Sequence, residues 1–134
     1  MSTLSFDWET VSGTDVIAVV GIRERRLNDS ALTWDQVALI LGKQAILLSV
    51  NVDTDEVLVT LSHPPRGEGW CDIGVFAPLI GAPLGWCWVG TNYRGYSDSF
   101  TLAFGAALPD ALEPKLTFMS EGSALVCFQM MSVG

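Results

Sequence analysis

Between Ile46 and Leu61 the chain repeats one pattern twice. Ile46, Leu48, Val50 and Val52 alternate with Leu47, Ser49 and Asn51; after Asp53-Thr54-Asp55-Glu56, the residues Val57, Val59 and Leu61 alternate in the same way. Successive side chains of a strand point to opposite faces, so a period of two gathers each apolar set on one side. Two such runs around a four-residue polar turn make a β-hairpin with one face that must be hidden from water. A chain with this unit at its centre has to supply a second apolar layer to cover it.

The flanking sequence supplies candidates. Val16 to Ile22 is a β-branched run, apolar on both faces, that passes into Arg23-Glu24-Arg25-Arg26, where a strand must emerge into water. Asn28-Asp29-Ser30 signals a turn. Trp34 to Leu41 is compatible with a short helix capped by Thr33 or with a strand; its length and the Gly42-Lys43-Gln44 turn after it favour the strand. Ser62 to Gly69 holds two prolines and two glycines and reads as a surface loop. Asp72 to Gly85 is irregular for the same reason, apart from a helical turn over Val75 to Ile80. Trp86 to Val89 and Asp98 to Phe104 form a second hairpin around Asn92 to Tyr96, with Phe100, Leu102 and Phe104 facing in. Lys115 to Met119 and Ala124 to Met131 form a third across Ser120-Glu121-Gly122.

The expected fold is therefore mainly β. It is an antiparallel meander of about seven or eight strands, curved into a half-open barrel or a two-layer sheet, with room for one short helix over an edge. Residues 1–134 make a single domain by size, in which residues 1–13 read as an N-terminal arm that packs one or both of Phe6 and Trp8 against the body.

Composition bears on partners. Hydrophobic residues are 49% of the chain and charged residues 16%, against about 25% charged in ordinary soluble domains. Such a surplus implies an apolar patch covered by a protein partner or by self-association, a homodimer being the simplest case. Fifteen acids against seven Lys and Arg give a net charge of −8, which repels nucleic-acid phosphates and anionic lipid headgroups. The expectation is no nucleic acid, no membrane, and a partner that is basic, or neutral and apolar. The longest apolar reach, Val37 to Val52, is broken by Lys43 and Gln44 and falls short of the ~20 residues that span a bilayer. Asp7 and Glu9 stand where a signal peptide would be basic, so the expected location is cytoplasmic. Cys71, Cys87 and Cys127, with the single His63, match no zinc spacing and read as free thiols of a reducing compartment.

Chemistry-bearing patterns are sparse. His63 is the sole proton shuttle available and sits in the Pro-rich loop, where a solvated role is the expectation. Asp53, Asp55 and Glu56 offer oxygens to a hard cation but lack the glycine and distal glutamate of an EF-hand, and turn geometry alone explains them. Gly67-x-Gly69 fails as a dinucleotide fingerprint at the third glycine position, which is Asp72. Arg23, Arg25 and Arg26, with Glu24 among them, read as a solvated strand end. No catalytic residue, metal ligand or cofactor follows from these patterns.

The segment Trp86 to Asp98 concentrates aromatic and hydrogen-bonding groups. As scaffold, Trp86 and Trp88 would fill the core, Asn92 and Gly95 would take positive φ, and Asp98 would bond the turn amides. As a ligand or partner site, Trp88, Asn92, Tyr93, Arg94, Tyr96 and Asp98 would form a polar cluster over an aromatic floor. Trp86-x-Trp88 followed by Thr91-Asn92-x-x-Gly95-Tyr96-x-Asp98 also resembles a family of short bacterial proteins known only as a domain of unknown function, whose members share W-x-W-x-x-x-N-x-x-G-Y-x-D with a strand after it. The likeness extends from about Val16 to Phe128, and it implies bacterial origin and a cytoplasmic location. Size and acidity alone give a looser likeness to immunity proteins that neutralise bacterial toxins. The leading functional expectation is a non-enzymatic protein acting through protein–protein contacts, immunity-like in kind. The alternative is a small-ligand-binding domain or minor enzyme using the turn 86–98. An exposed apolar sheet face with acids at its rim favours the first; a closed concavity holding Trp88, Tyr96 and Arg94 favours the second.

Overall fold

The structure, a computed structural model, describes residues 4–28 and 31–129. Eleven strands stand among them: β1 (Ala18–Ile22), β2 (Arg25–Asn28), β3 (Ala31–Trp34), β4 (Gln36–Ile40), β5 (Ala45–Asn51), β6 (Glu56–Ser62), β7 (Trp70–Asp72), β8 (Leu84–Thr91), β9 (Ser97–Phe104), β10 (Pro114–Glu121) and β11 (Ala124–Gln129). They form two antiparallel sheets that do not close into a barrel. One sheet has the order β6-β5-β4-β1-β7, the other β2-β3-β11-β10-β9-β8.

The central hairpin is β5–β6, paired Ile46 to Leu61, Leu48 to Val59 and Val50 to Val57. Leu39, Ile46, Leu48, Val57 and Val59 of the first sheet are fully buried, and so are Phe100, Leu102, Phe118 and Leu125 of the second. These two sets share one core, and burial of each large side chain is worth about 1.5–3 kcal/mol. A 3₁₀ turn, Gly74–Leu79, carries Phe76 into that core, where its ring stacks on Phe118 at 5.6 Å. Trp8 enters from the N-terminal segment, is buried, and meets Phe100 edge-on at 5.9 Å.

Strand number differs from the reading of the sequence, and the order is only in part a meander. Eight strands stand where strands were expected, although the run Trp34 to Leu41 is cut at Asp35 so that Trp34 belongs to β3, and β2, β3 and β7 are added. Each has only three or four residues, too few for an alternation to register. Sequential neighbours pair in β4-β5-β6 and in β8-β9-β10-β11, but β1 pairs with β4 and β7, and β3 pairs with β11. Two of the three crossings between sheets, β1 to β2 and β3 to β4, are built at one corner. Arg23 takes a left-handed backbone (φ 57°) and ends β1, while the Asp35 amide donates to the Ile22 carbonyl at 3.0 Å. Arg23 and Arg25 both grip the Asp35 carboxylate, at 3.1 and 2.9 Å. The strand end is solvated as expected, with Arg23 and Arg25 exposed, and Asp35 also cross-links it into a corner. Trp34 turns back over β1, where Gly21 leaves room; a Cβ there would lie 2.5 Å from the indole. Asp29, Ser30, and the tail of the third hairpin at Met130 and Met131 lie outside the described residues.

Candidate functional site

The second hairpin, β8–β9, holds the segment singled out in the sequence. Its inner face is built as expected: Phe100, Leu102 and Phe104 of β9 are buried, and Cys87 of β8 packs against the core opposite Leu102. Burial pushes the Cys87 thiol up to about 11, because the thiolate would lose its hydration. Ala103, on the other face of β9, is buried as well, at the end where the 3₁₀ turn Asp110–Leu112 packs against both strands. Gly85 permits that packing, since a Cβ there would sit 2.6 Å from the Ala111 carbonyl oxygen.

The outer face departs from the scaffold reading. Trp88 pairs with Thr101, so it points away from the core, and it is half-buried. Trp86 is 46% exposed. The two indoles therefore do not fill the core. A strand buried on one face sends every second residue outward, and Trp86 and Trp88 occupy the outward set.

The turn is organised by Asn92. Its Oδ1 accepts from the backbone N–H groups of Arg94 (2.9 Å) and Tyr96 (3.2 Å), and its Nδ2 donates to Asp98 Oδ2 at 3.4 Å. The Asn92 N–H closes the loop by donating to the Tyr96 carbonyl at 2.9 Å. Asn92, not Asp98, thus bonds the turn amides, as an Asx turn does. Gly95 takes a positive φ of 87° as expected, whereas Asn92 does not. The anchoring of the far side was not legible: the Ser97 N–H donates to Glu56 Oε2 at 3.0 Å, tying the start of β9 to β6 of the other sheet. That bond holds the Glu56 carboxyl below the usual carboxylate range.

The predicted site residues divide accordingly. Asn92 and Asp98 are half-buried and structural to the turn, and Trp88 stands in the strand ladder. Tyr93 is 93% exposed, Tyr96 is 40% exposed, and Arg94 lies with its guanidinium 5.8 Å from the Tyr93 ring centroid. The aromatic surface is wider than the sequence indicated. Six of the eleven exposed large apolar side chains among the described residues lie on β8, its turn or the segment beside it: Trp86, Val89, Tyr93, Tyr96, Leu108 and Leu112. Trp86, Leu108 and Leu112 border a shallow cleft of about 300 Å³.

Other candidates sort differently. The Asp55 side chain accepts from the Ser123 N–H at 3.1 Å, and its carbonyl accepts from Ser120 Oγ, so the 53–56 turn pins the two sheets together. Among the described residues no cluster of three or more His, Cys, Asp or Glu is placed to hold a metal. His63 lines an open cleft of about 690 Å³ with Lys43, Arg66, Gly42 and Pro64, a lining without a carboxylate, serine or cysteine. A cleft of about 520 Å³ lies at the Arg23–Asp35 corner. None of these three clefts is walled by Asn92, Arg94 or Tyr96. All three cysteines are free; Cys71 is exposed.

The family model for a family of unknown function, DUF6334, matches residues 1–134. The chain belongs to that family. The match reaches beyond the Val16 to Phe128 span over which the likeness was expected to extend. No curated protein and no solved structure matches the chain. No described helix is long and apolar enough to cross a membrane.

Proposed function

We propose that this member of the DUF6334 family is a non-enzymatic cytoplasmic protein of bacterial origin that acts through protein–protein contacts, in the manner of an immunity protein. The observation that carries the reading is the outward aromatic surface of the β8–β9 hairpin, where Tyr93 is 93% exposed on a turn held rigid by Asn92. Exposed aromatic and Arg side chains on a pre-ordered backbone are the groups that dominate interface energetics, because little conformational entropy remains to be lost on binding. Low charge across Leu84 to Thr91, in a chain of net −8, fits an apolar contact rather than an electrostatic one.

The test places a photo-crosslinking amino acid at Tyr93 in the native cell, with Asp53 as the control position. The reading expects a discrete protein adduct from position 93 and none from position 53. Arg94→Ala and Tyr96→Ala should leave the melting temperature nearly unchanged and weaken the captured contact by more than about 1 kcal/mol each. No adduct at Tyr93, together with a small molecule whose thermal shift of the wild type vanishes in Arg94→Ala, would move the assignment to a ligand-binding domain.

A further inference from the structure

Two sheets have four edges, and each edge presents backbone N–H and C=O groups that can pair with another strand. Three of the four are defended. On β6, the N-terminal segment bonds the middle of the edge: the Ser5 N–H donates to the Val59 carbonyl at 3.0 Å, beside a bridge from Leu4 to Val59. The β7 edge is only three residues long, and β2 carries Arg25 and Arg26 in a strand of four. The β8 edge is eight residues long, Leu-Gly-Trp-Cys-Trp-Val-Gly-Thr, with no charge and no proline. The N-terminal segment covers its first two residues: Leu84 exchanges backbone bonds with Gly13 and Thr14, and Trp8 Nε1 donates to the Gly85 carbonyl at 2.8 Å. From Trp86 to Thr91, no described residue bonds the side of β8 turned away from β9.

We infer that β8 is the dimer edge of this protein: within Trp86 to Thr91 it pairs antiparallel with a second copy about a two-fold axis normal to the sheet, each residue opposite one of the same parity, joining two six-stranded sheets into one. This rests on the reading of the chain as one that works through protein contacts, and it names one partner. The partner is a second copy because the strand is complementary to itself. An antiparallel pair related by a two-fold axis satisfies both sets of backbone groups with one sequence. An uncharged edge lets two chains of −8 approach there with the least local repulsion, whereas a basic partner would find nothing to pair with. The pairing also covers Val89, 41% exposed at the open edge, and sets Trp86 and Trp88 of each copy beside those of the other on one outer face.

Sedimentation equilibrium across a wide concentration range tests this with the full chain. The wild type should reach twice the 14.5 kDa chain mass. Val89→Lys, which puts a charge on the edge, should remain folded by circular dichroism and raise the dimer dissociation constant at least about tenfold. Trp86→Lys, on the opposite face of the same strand, should do the same and decides the matter if the first variant does not fold. Should neither fold, hydrogen exchange of the wild type decides: amides of 86–91 should slow as the chain is concentrated, and no change would overturn the inference. A wild type that stays monomeric throughout would also overturn it, leaving the Tyr93 adduct to judge the broader reading separately. So would a dimer that both folded Lys variants retain.

Discussion

The hairpins β5–β6 and β8–β9 are built from the same rule and end in opposite circumstances. Each alternates apolar residues along paired strands, and each lines the common core with one face. In β5–β6 the N-terminal segment bonds the edge strand at its middle, Val59, and the turn is pinned to the other sheet through Asp55. In β8–β9 the outward set includes two tryptophans, the edge is open beyond Gly85, and the turn displays Tyr93. The difference teaches that alternation fixes which residues share a face, while the elements packed outside that face determine whether those residues are exposed.

The sharpest way to break the comparison is one substitution made at both edges. Val59→Lys buries an unpaired ammonium at a position with no exposure. It should abolish folding, since burying or neutralising the ammonium costs several kcal/mol, added to overpacking, against a net stability of only ~5–15 kcal/mol. Val89→Lys should fold. Far-UV circular dichroism of the two variants reads the outcome, and equal damage from both would mean that β8 is as enclosed as β6.

A smaller effect tests how the N-terminal segment holds the covered end of β8. Trp8→Phe keeps an aromatic ring in the core and removes the bond from Nε1 to the Gly85 carbonyl. It should cost about 1–2 kcal/mol in urea titration, most of it from an unpaired buried carbonyl. A neutral result would detach the segment from the edge. Asn92→Ala removes the acceptor of two turn amides and should cost about 1 kcal/mol. Melting curves would show it, and a silent substitution would mean that the turn is not organised by Asn92.

The thiols sharpen the orientation of β8. Burial pushes Cys87 up to about 11 and Cys127 up to about 12, while Cys71 is exposed. At pH 8, a thiol reagent should modify Cys71 quickly and the other two only after denaturant is added. A raised acid pKa means that the folded chain keeps protons the unfolded chain has lost. Stability should therefore be level below pH 9 and fall as pH rises from about 9 towards 11 and 12, by at most about 1.4 kcal/mol per unit for each thiol. Rapid modification of Cys87 in the native state would reverse the assignment of faces on β8.

Much of the layered fold was legible because strand periodicity survives in residues such as Leu48, Val59, Phe100 and Leu102, whose burial matches their parity. The short strands β2, β3 and β7 were not, since three or four residues are too few to carry a period. Of the candidate site, Gly95 and the polar turn were readable from residue type, and the exposure of Tyr93 follows from its place at the tip. The outward placement of Trp86 and Trp88 was misread because residue type favours burying an indole, whereas the ladder fixes its face. The open edge went unread in the sequence, although the uncharged run Leu84 to Thr91 was its signal. The tether from Ser97 to Glu56 had no local trace at all, being a contact between residues 41 apart in the chain.

The central claim is that the indoles of β8 belong to the surface of the folded chain and not to its core. Urea denaturation of Trp86→Ala beside Leu48→Ala, at a concentration low enough to keep the chain monomeric, tests it most directly. The account predicts a loss of less than about 1 kcal/mol for Trp86→Ala and about 2–5 kcal/mol for Leu48→Ala. A loss at Trp86 as large as that at Leu48 would contradict it.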